Sequence, residues 1–161
     1  MRFGAIELAN IHKSLIENLK TNNFNLLDYT HHLSSGFKSL YTQIAYEGIE
    51  LIRQSCGGAG FSAHSGLPLI VTDYAPNVTF EGDNTVMAQQ ASRFIVKNLK
   101  NMIKEKSKPT GHLTYLMDIP KLIKAKCTAT TSDQFLCLKL LDEALAVRAA
   151  FRIKSTFTKM S

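Results

Sequence analysis

The sequence has no tryptophan, few prolines and only three cysteines, Cys56, Cys127 and Cys137, in 161 residues. Three scattered cysteines are too few for a disulfide framework, and no cysteine or histidine cluster has the spacing of zinc ligands. The adjacent pair His31 and His32 does not suit one ion, because neighbouring helical residues point about 100° apart. We therefore predict no structural metal, and we expect Cys56 to be a small buried hydrophobic residue without a redox role.

Long hydrophobic runs are also missing. No apolar stretch approaches the roughly 18–20 residues that a membrane span needs, and the N-terminus lacks the apolar core of a signal peptide. Hydrophobic residues at 45% and charged residues at 20% are typical of a globular chain. We predict a folded protein without a membrane span, with one domain or one domain plus part of a second.

The positive charge is concentrated at one end. Residues 1–92 carry five Lys/Arg and eight Asp/Glu, whereas residues 93–161 carry fourteen Lys/Arg and five Asp/Glu. The lysines of the second segment follow helix faces and one linker without interleaved aromatic residues, a pattern that favours a solvated surface over a nucleic-acid site. We predict no nucleic-acid partner.

Hydrophobic periodicity predicts an all-α helical bundle. Apolar residues recur every three or four positions over residues 2–20 and again over 26–55, where Gly48 lies on the apolar stripe and would let a helix or ligand approach. A further long helix is expected to begin with Asp83 or Asn84 as its cap and to run to about Lys104. No strand is predicted.

The remaining segments are predicted mainly as turns and loops. The run Gly57-Gly58-Ala59-Gly60 is a tight turn with accessible backbone N–H groups, but no βαβ unit surrounds it as a dinucleotide fingerprint requires. Residues 65–80 are punctuated by Gly and Pro and are expected to hold one helical turn at most, and residues 105–111 form the best linker. Thr131 and Gln134 have the spacing of a capping box before a last helix.

Glu81 is the candidate for acid–base chemistry. It lies between a loop and a helix start, with Phe80 before it and Gly82 after it. A carboxylate beside an aromatic side chain in a closed pocket is suited to act as a general base. An acidic residue before a helix is also a common electrostatic cap, and the local pattern leaves both roles open.

Three sequence blocks resemble the C-terminal α-domain of the peroxisomal acyl-CoA oxidase family, within the acyl-CoA dehydrogenase/oxidase superfamily. They are RQSCGGAGFS at 53–62, SGLP at 65–68 and TFEGDNTVM at 79–87, in the order and spacing of the family. The segment 33–38 resembles the preceding helix. The resemblance implies a partial first C-terminal α-domain over residues 1–106, then a linker and the start of a second α-domain over 107–161.

The resemblance implies an FAD-dependent oxidoreductase of fatty acid β-oxidation. Such an enzyme converts fatty acyl-CoA to trans-2-enoyl-CoA and reduces O2 to H2O2, and its catalytic base maps onto Glu81. Gly82, Asn84 and Thr85 map onto flavin contacts within that site. Gln54, Gly57 and Gly58 map onto contacts with the FAD of the neighbouring subunit in a homodimer.

Much of such an enzyme lies outside this sequence. The family's N-terminal helical domain and β-domain hold most of the flavin and substrate, so we expect a fragment or truncated paralogue that is inactive alone. A peroxisomal location follows from the resemblance only, because residues 158–161 are not a Ser-Lys-Leu address. The alternative is a non-catalytic helical module for dimerisation or interaction, without a flavin platform.

Overall fold

The computed structural model describes residues 2–105, 107–109 and 111–160. Throughout these ranges the regular structure is helical, which confirms the all-α prediction. The α-helices are α1 (Arg2–Lys20), α2 (Leu27–Ser55), α3 (Gly57–Phe61), α4 (Leu67–Tyr74), α5 (Asn84–Glu105), α6 (Ile119–Leu122) and α7 (Leu138–Met160). Short 3₁₀ helices cover Ala63–Ser65, Ala75–Val78, Gly111–Asp118 and Ser132–Leu136.

Helices α1 and α2 form an antiparallel hairpin, and their predicted bounds are confirmed. The chain leaves α1 through Asn22, whose φ of 56° allows a sharp reversal. Gly4, near the start of α1, lies against the side chains of Phe37 and Tyr41 on α2. Because α1 has 19 residues and α2 has 29, the last turns of α2 extend beyond the start of α1.

The apolar stripe of α2 is largely uncovered by the part of the chain that the structure describes. Leu40, Ile44 and Leu51 are 53%, 46% and 66% exposed. A Cβ added at Gly48 would meet no atom within 4 Å, so the close approach expected there is not made by the described residues. The residues that α2 buries are polar: Thr30, His32 and Ser35.

Helix α5 packs on α2 through a buried histidine. The Nδ1–H of His32 donates to the carbonyl of Ala91 at 3.0 Å, and its ring stacks on Phe94 with the ring centroids 4.7 Å apart. A carbonyl oxygen can only accept, so this contact requires the proton on Nδ1. The hydrogen bond satisfies the ring nitrogen inside the interface.

The prediction of loop over residues 65–80 is wrong, because this stretch contains α4 and the 3₁₀ helix Ala75–Val78. Pro68 and Pro76 lie in the first turns of their helices, where a missing N–H costs nothing and a fixed φ favours helix. The glycine run is also partly helical, since α3 covers Gly57–Phe61.

Two predictions about individual side chains are wrong. Cys56 follows the last residue of α2 and is exposed rather than buried, and Cys127 and Cys137 are exposed too. The capping box at Thr131 does not form. Instead the Oε1 of Gln134 accepts from the backbone N–H of Thr130 at 2.7 Å, and the long helix begins only at Leu138.

The chain divides into two units, Met1–Phe94 and Ile95–Ser161. The second unit contains most of the buried apolar residues: Val96, Leu99, Leu113, Leu116, Ile119 and Ala150. Lys106 and Thr110, in the predicted linker, lie outside the described residues. The domain boundary after residue 106 stays a prediction. None of the described helices is long and apolar enough to cross a bilayer.

Candidate active-site loop

Glu81 and Gly82 form a strained turn before α5. Glu81 has φ 55° and Gly82 has φ 104°, so two successive residues are left-handed. A side chain in this conformation costs about 1–2 kcal/mol, which makes a glutamate here unusual. Glu81 is exposed and Phe80 is 51% exposed, so the described residues do not form the closed pocket expected around the carboxylate.

The backbone conformation of Gly82 favours glycine, and packing adds a contact with the flexible end of the Met87 side chain. A Cβ at this position would lie 2.6 Å from Cε and 2.9 Å from Sδ of Met87. Its φ is also one that side chains rarely adopt. The glycine is therefore explained by the loop itself, independently of a flavin contact.

Four side chains of α2 hold the start of α5. Thr42 Oγ1 donates to Oδ1 of Asn84 at 3.0 Å. Lys38 Nζ donates to the carbonyl of Gly82 at 2.5 Å and to Oδ1 of Asn84 at 2.9 Å. Ser39 Oγ donates to the backbone carbonyl of Asn84 at 2.9 Å, and Asn84 Nδ2 donates to Oε1 of Gln43 at 3.2 Å. Both ends of the Asn84 amide are thus engaged within the chain. Sequence reasoning assigned no role to Lys38 or Ser39, although both polar residues adjoin the apolar stripe.

Asp83 caps α5, as predicted for Asp83 or Asn84. Its Oδ1 accepts from the backbone N–H of Thr85 at 2.8 Å, which satisfies one of the free donors of the first turn. Thr85 is exposed, and its hydroxyl makes no hydrogen bond to the described residues. That hydroxyl is available to a ligand.

At the end of α2, Glu50 holds two neighbouring side chains. Arg53 donates to the Glu50 carboxylate from Nε at 2.8 Å and from a terminal nitrogen at 2.5 Å. Gln54 Nε2 donates to it at 2.8 Å. The hydrogen bonds from Arg53, and then Gln54, lower the pKa of Glu50 to about 2. The Gln54 amide is therefore oriented at an exposed position.

The glycines that follow have different roles. Gly57 has φ 56°, and a Cβ at Gly57 or Gly58 would meet no atom within 4 Å. Gly60 is buried, and a Cβ there would collide with the carbonyl oxygen of Arg53. Only Gly57 and Gly58 therefore expose backbone that a larger group can approach.

The structure separates the predicted site residues into two groups. Asn84 is held by residues 38–43 of α2, whereas Gln54 and the exposed glycines lie at its end. At 1.5 Å per residue, these positions are about 20 Å apart along the helix axis. A single compact chemical group could therefore not contact both Asn84 and the exposed glycines.

The second unit contains two cavities that include none of the predicted site residues. One has a volume of about 250 Å³ and borders Cys137, and the other has about 260 Å³ and borders Cys127. Within the described ranges no group of three metal-ligating side chains lies together. The left-handed turn at Glu81 and Gly82 is the candidate site.

Comparison with known proteins identifies the class to which this helical chain belongs. Residues 1–96 match the family model described as acyl-CoA oxidase, C-alpha1 domain. The chain therefore belongs to the acyl-CoA oxidase family, a family of oxidoreductases, as the three sequence blocks imply. It is 35% identical over 154 residues to peroxisomal acyl-coenzyme A oxidase 2 of Oryctolagus cuniculus, covering 92% of this chain and 22% of that protein.

Solved structures have the same fold. Arabidopsis thaliana acyl-CoA oxidase 1 aligns with a TM-score of 0.90 and 29% identity, over 98% of this chain and 24% of that chain. Acyl-CoA oxidase-2 of Caenorhabditis elegans, bound with FAD, ascaroside-CoA and ATP, aligns with a TM-score of 0.72 and 27% identity. The alignment covers 94% of this chain and 22% of that chain. The chain thus spans about a fifth to a quarter of the length of these relatives.

Proposed function

We propose that this chain is the part of an FAD-dependent acyl-CoA oxidase that carries the catalytic base. The enzyme desaturates fatty acyl-CoA to trans-2-enoyl-CoA and reduces O2 to H2O2, as the first step of fatty acid β-oxidation. Its relatives are named as peroxisomal enzymes, and we propose a peroxisomal location for this protein on that basis.

The conformation of Glu81 carries the proposal. A left-handed glutamate persists only where its surroundings hold it, and such strain is concentrated at functional sites. The neighbouring Gly82 and Asn84 are anchored to α2, so the exposed carboxylate projects from a fixed turn. A general base needs this kind of fixed position relative to the proton that it removes.

Glu81 supplies two groups to the proposed reaction. Its carboxylate takes the proton from the carbon next to the thioester. Its backbone N–H makes no hydrogen bond to the described residues, so it is free to donate to the thioester carbonyl. Such a donor stabilises the negative charge that develops on the carbonyl oxygen as the proton leaves.

The residues present fit contacts with FAD at both groups. Gly57 and Gly58 leave open space beside the backbone, and Gln54 is exposed next to them, as suits contact with the FAD of a second subunit. Thr85 offers a free hydroxyl near Glu81. The 20 Å separation along α2 agrees with two different FAD groups in a homodimer. When bound, FAD supplies the acceptor for the β hydride and the route for electrons to O2.

The proposal is tested in a chimera of Arabidopsis acyl-CoA oxidase 1 whose matching segment is replaced by this chain. We expect acyl-CoA-dependent peroxide production, and we expect Glu81→Gln to abolish it while the flavin absorbance of the purified enzyme is retained. Glu7→Gln, at an exposed position of α1, is the control and should leave both unchanged. Undiminished peroxide output from Glu81→Gln would reject the role of Glu81.

The alternative is a non-catalytic helical interaction module. The exposed apolar stripe of α2 favours this function, since such a face is suited to association. Size-exclusion chromatography of the 161-residue chain, followed by flavin absorbance, distinguishes the two. A colourless oligomer together with an inactive chimera would support the module, whereas a yellow peak that retains FAD would contradict it.

A further inference from the structure

We propose that Lys38 is a positioning residue for the Glu81 carboxylate. Its ammonium group joins two acceptors on opposite sides of Asp83, the carbonyl of Gly82 and the side-chain oxygen of Asn84. Gly82 directly follows Glu81, and Asn84 is the first residue of α5. The catalytic part of this inference rests on the proposed role of Glu81.

Lys38 is the side chain that reaches the strained part of the loop. Ser39, Thr42 and Gln43 bind Asn84, which already belongs to α5. Among the described hydrogen bonds between α2 and this loop, the one from Lys38 is the contact that reaches Gly82. Because Glu81 and Gly82 are both left-handed, loss of that contact would let the turn relax toward commoner backbone conformations.

The electrostatics of this position also point to a specific role. The start of α5 carries partial positive charge, which disfavours a nearby cation. Lys38 is partly buried there and makes no ion pair with the described residues. The two oxygen acceptors offset this unfavourable placement. A lysine at this point is therefore not explained as an ordinary solvated surface charge.

The first test uses the 161-residue chain itself. Lys38→Met removes the ammonium, Lys38→Arg keeps a charged donor, and Lys13→Met on α1 is the control. NMR chemical shifts of Glu81 and the Gly82 carbonyl carbon report the turn. We expect Lys38→Met to reduce the ratio of left-handed to other conformations at Glu81 by about tenfold or more, since the hydrogen bond has a charged donor. Lys38→Arg should retain most of the left-handed conformation at Glu81.

Lys38→Gln provides a second neutral variant if Lys38→Met does not fold, because its amide preserves polarity without reaching both acceptors. Unchanged shifts of Glu81 and Gly82 in the folded neutral variant would overturn the inference. A shift change that Lys38→Arg fails to reverse would also overturn it, because the role requires a charged donor rather than lysine packing alone.

The second test uses the chimeric oxidase. We expect Lys38→Met to lower kcat at least tenfold with little change in KM, and Lys38→Arg to recover much of the loss. If Glu81→Gln abolishes turnover while Lys38→Met retains full kcat, the positioning role is refuted and the proposed function stands. If Glu81→Gln retains turnover, the proposed function fails, and the NMR result alone decides whether Lys38 holds the turn.

Discussion

Replacement of Glu81 by glycine should stabilise the chain relative to replacement by alanine. Both substitutions remove the carboxylate, but only glycine removes the steric conflict of a Cβ at φ 55°. Relief of that conflict is worth about 1–2 kcal/mol. The greater freedom of glycine in the unfolded chain opposes it by about 0.4–1 kcal/mol. We therefore expect Glu81→Gly to exceed Glu81→Ala in unfolding free energy by about 0.5–1 kcal/mol.

The same pair of substitutions at Glu7 supplies the control. Glu7 is exposed within α1, where glycine is less stable than alanine by about 1 kcal/mol. The order of stability should therefore reverse between the two positions. Chemical denaturation followed by circular dichroism measures the unfolding free energy of all four variants. If alanine is at least as stable as glycine at position 81, the strain inferred for Glu81 is absent.

Three further predictions concern other parts of the first unit. Gly60→Ala should destabilise the chain by about 1–3 kcal/mol, because the new Cβ would meet the carbonyl of Arg53. Gly58→Ala, the control, should be nearly neutral. Equal denaturation midpoints for the two variants would contradict this prediction. Asp83→Ala should lose about 1 kcal/mol with the cap and Asp83→Asn should keep most of it, as thermal unfolding can show. The pKa of Glu50 is about 2 in the folded chain and 4.5 in the unfolded chain. The ionised carboxylate therefore contributes to folding stability above pH 4.5, and this contribution is lost as the pH falls toward 2. Between pH 4.5 and about 2, the melting temperature of Glu50→Gln should therefore fall less than that of the parent chain. Parallel plots of melting temperature against pH would refute this.

The long helices could be predicted from sequence because their periodicity is local. The bounds 2–20 and 26–55 are nearly those of α1 and α2, and Asp83 was recognisable as a cap. Helix α4 is not predictable from the Gly and Pro that punctuate residues 65–80, because proline is also tolerated in the first turn of a helix, where Pro68 lies. At the last helix, Gln134 binds Thr130 instead of closing the predicted box.

The environment of the candidate site could not be predicted in the same way. Periodicity shows which residues of α2 share a face, but it cannot show what covers that face. The contact between Lys38 and Gly82 joins residues 44 positions apart, beyond any local pattern. The left-handed φ of Glu81 depends on that tertiary support. The glycine after Glu81 indicated a turn without indicating its handedness.

The uncovered stripe of α2 has a practical consequence for work with the isolated chain. Leu40, Ile44 and Leu51 together present a row of aliphatic side chains to solvent. Salts such as ammonium sulfate strengthen the tendency of such surfaces to leave water. Purification should therefore proceed best at low ionic strength, and a phenyl-substituted chromatography resin should retain the chain more strongly than a polar variant with Leu40, Ile44 and Leu51 replaced by glutamine.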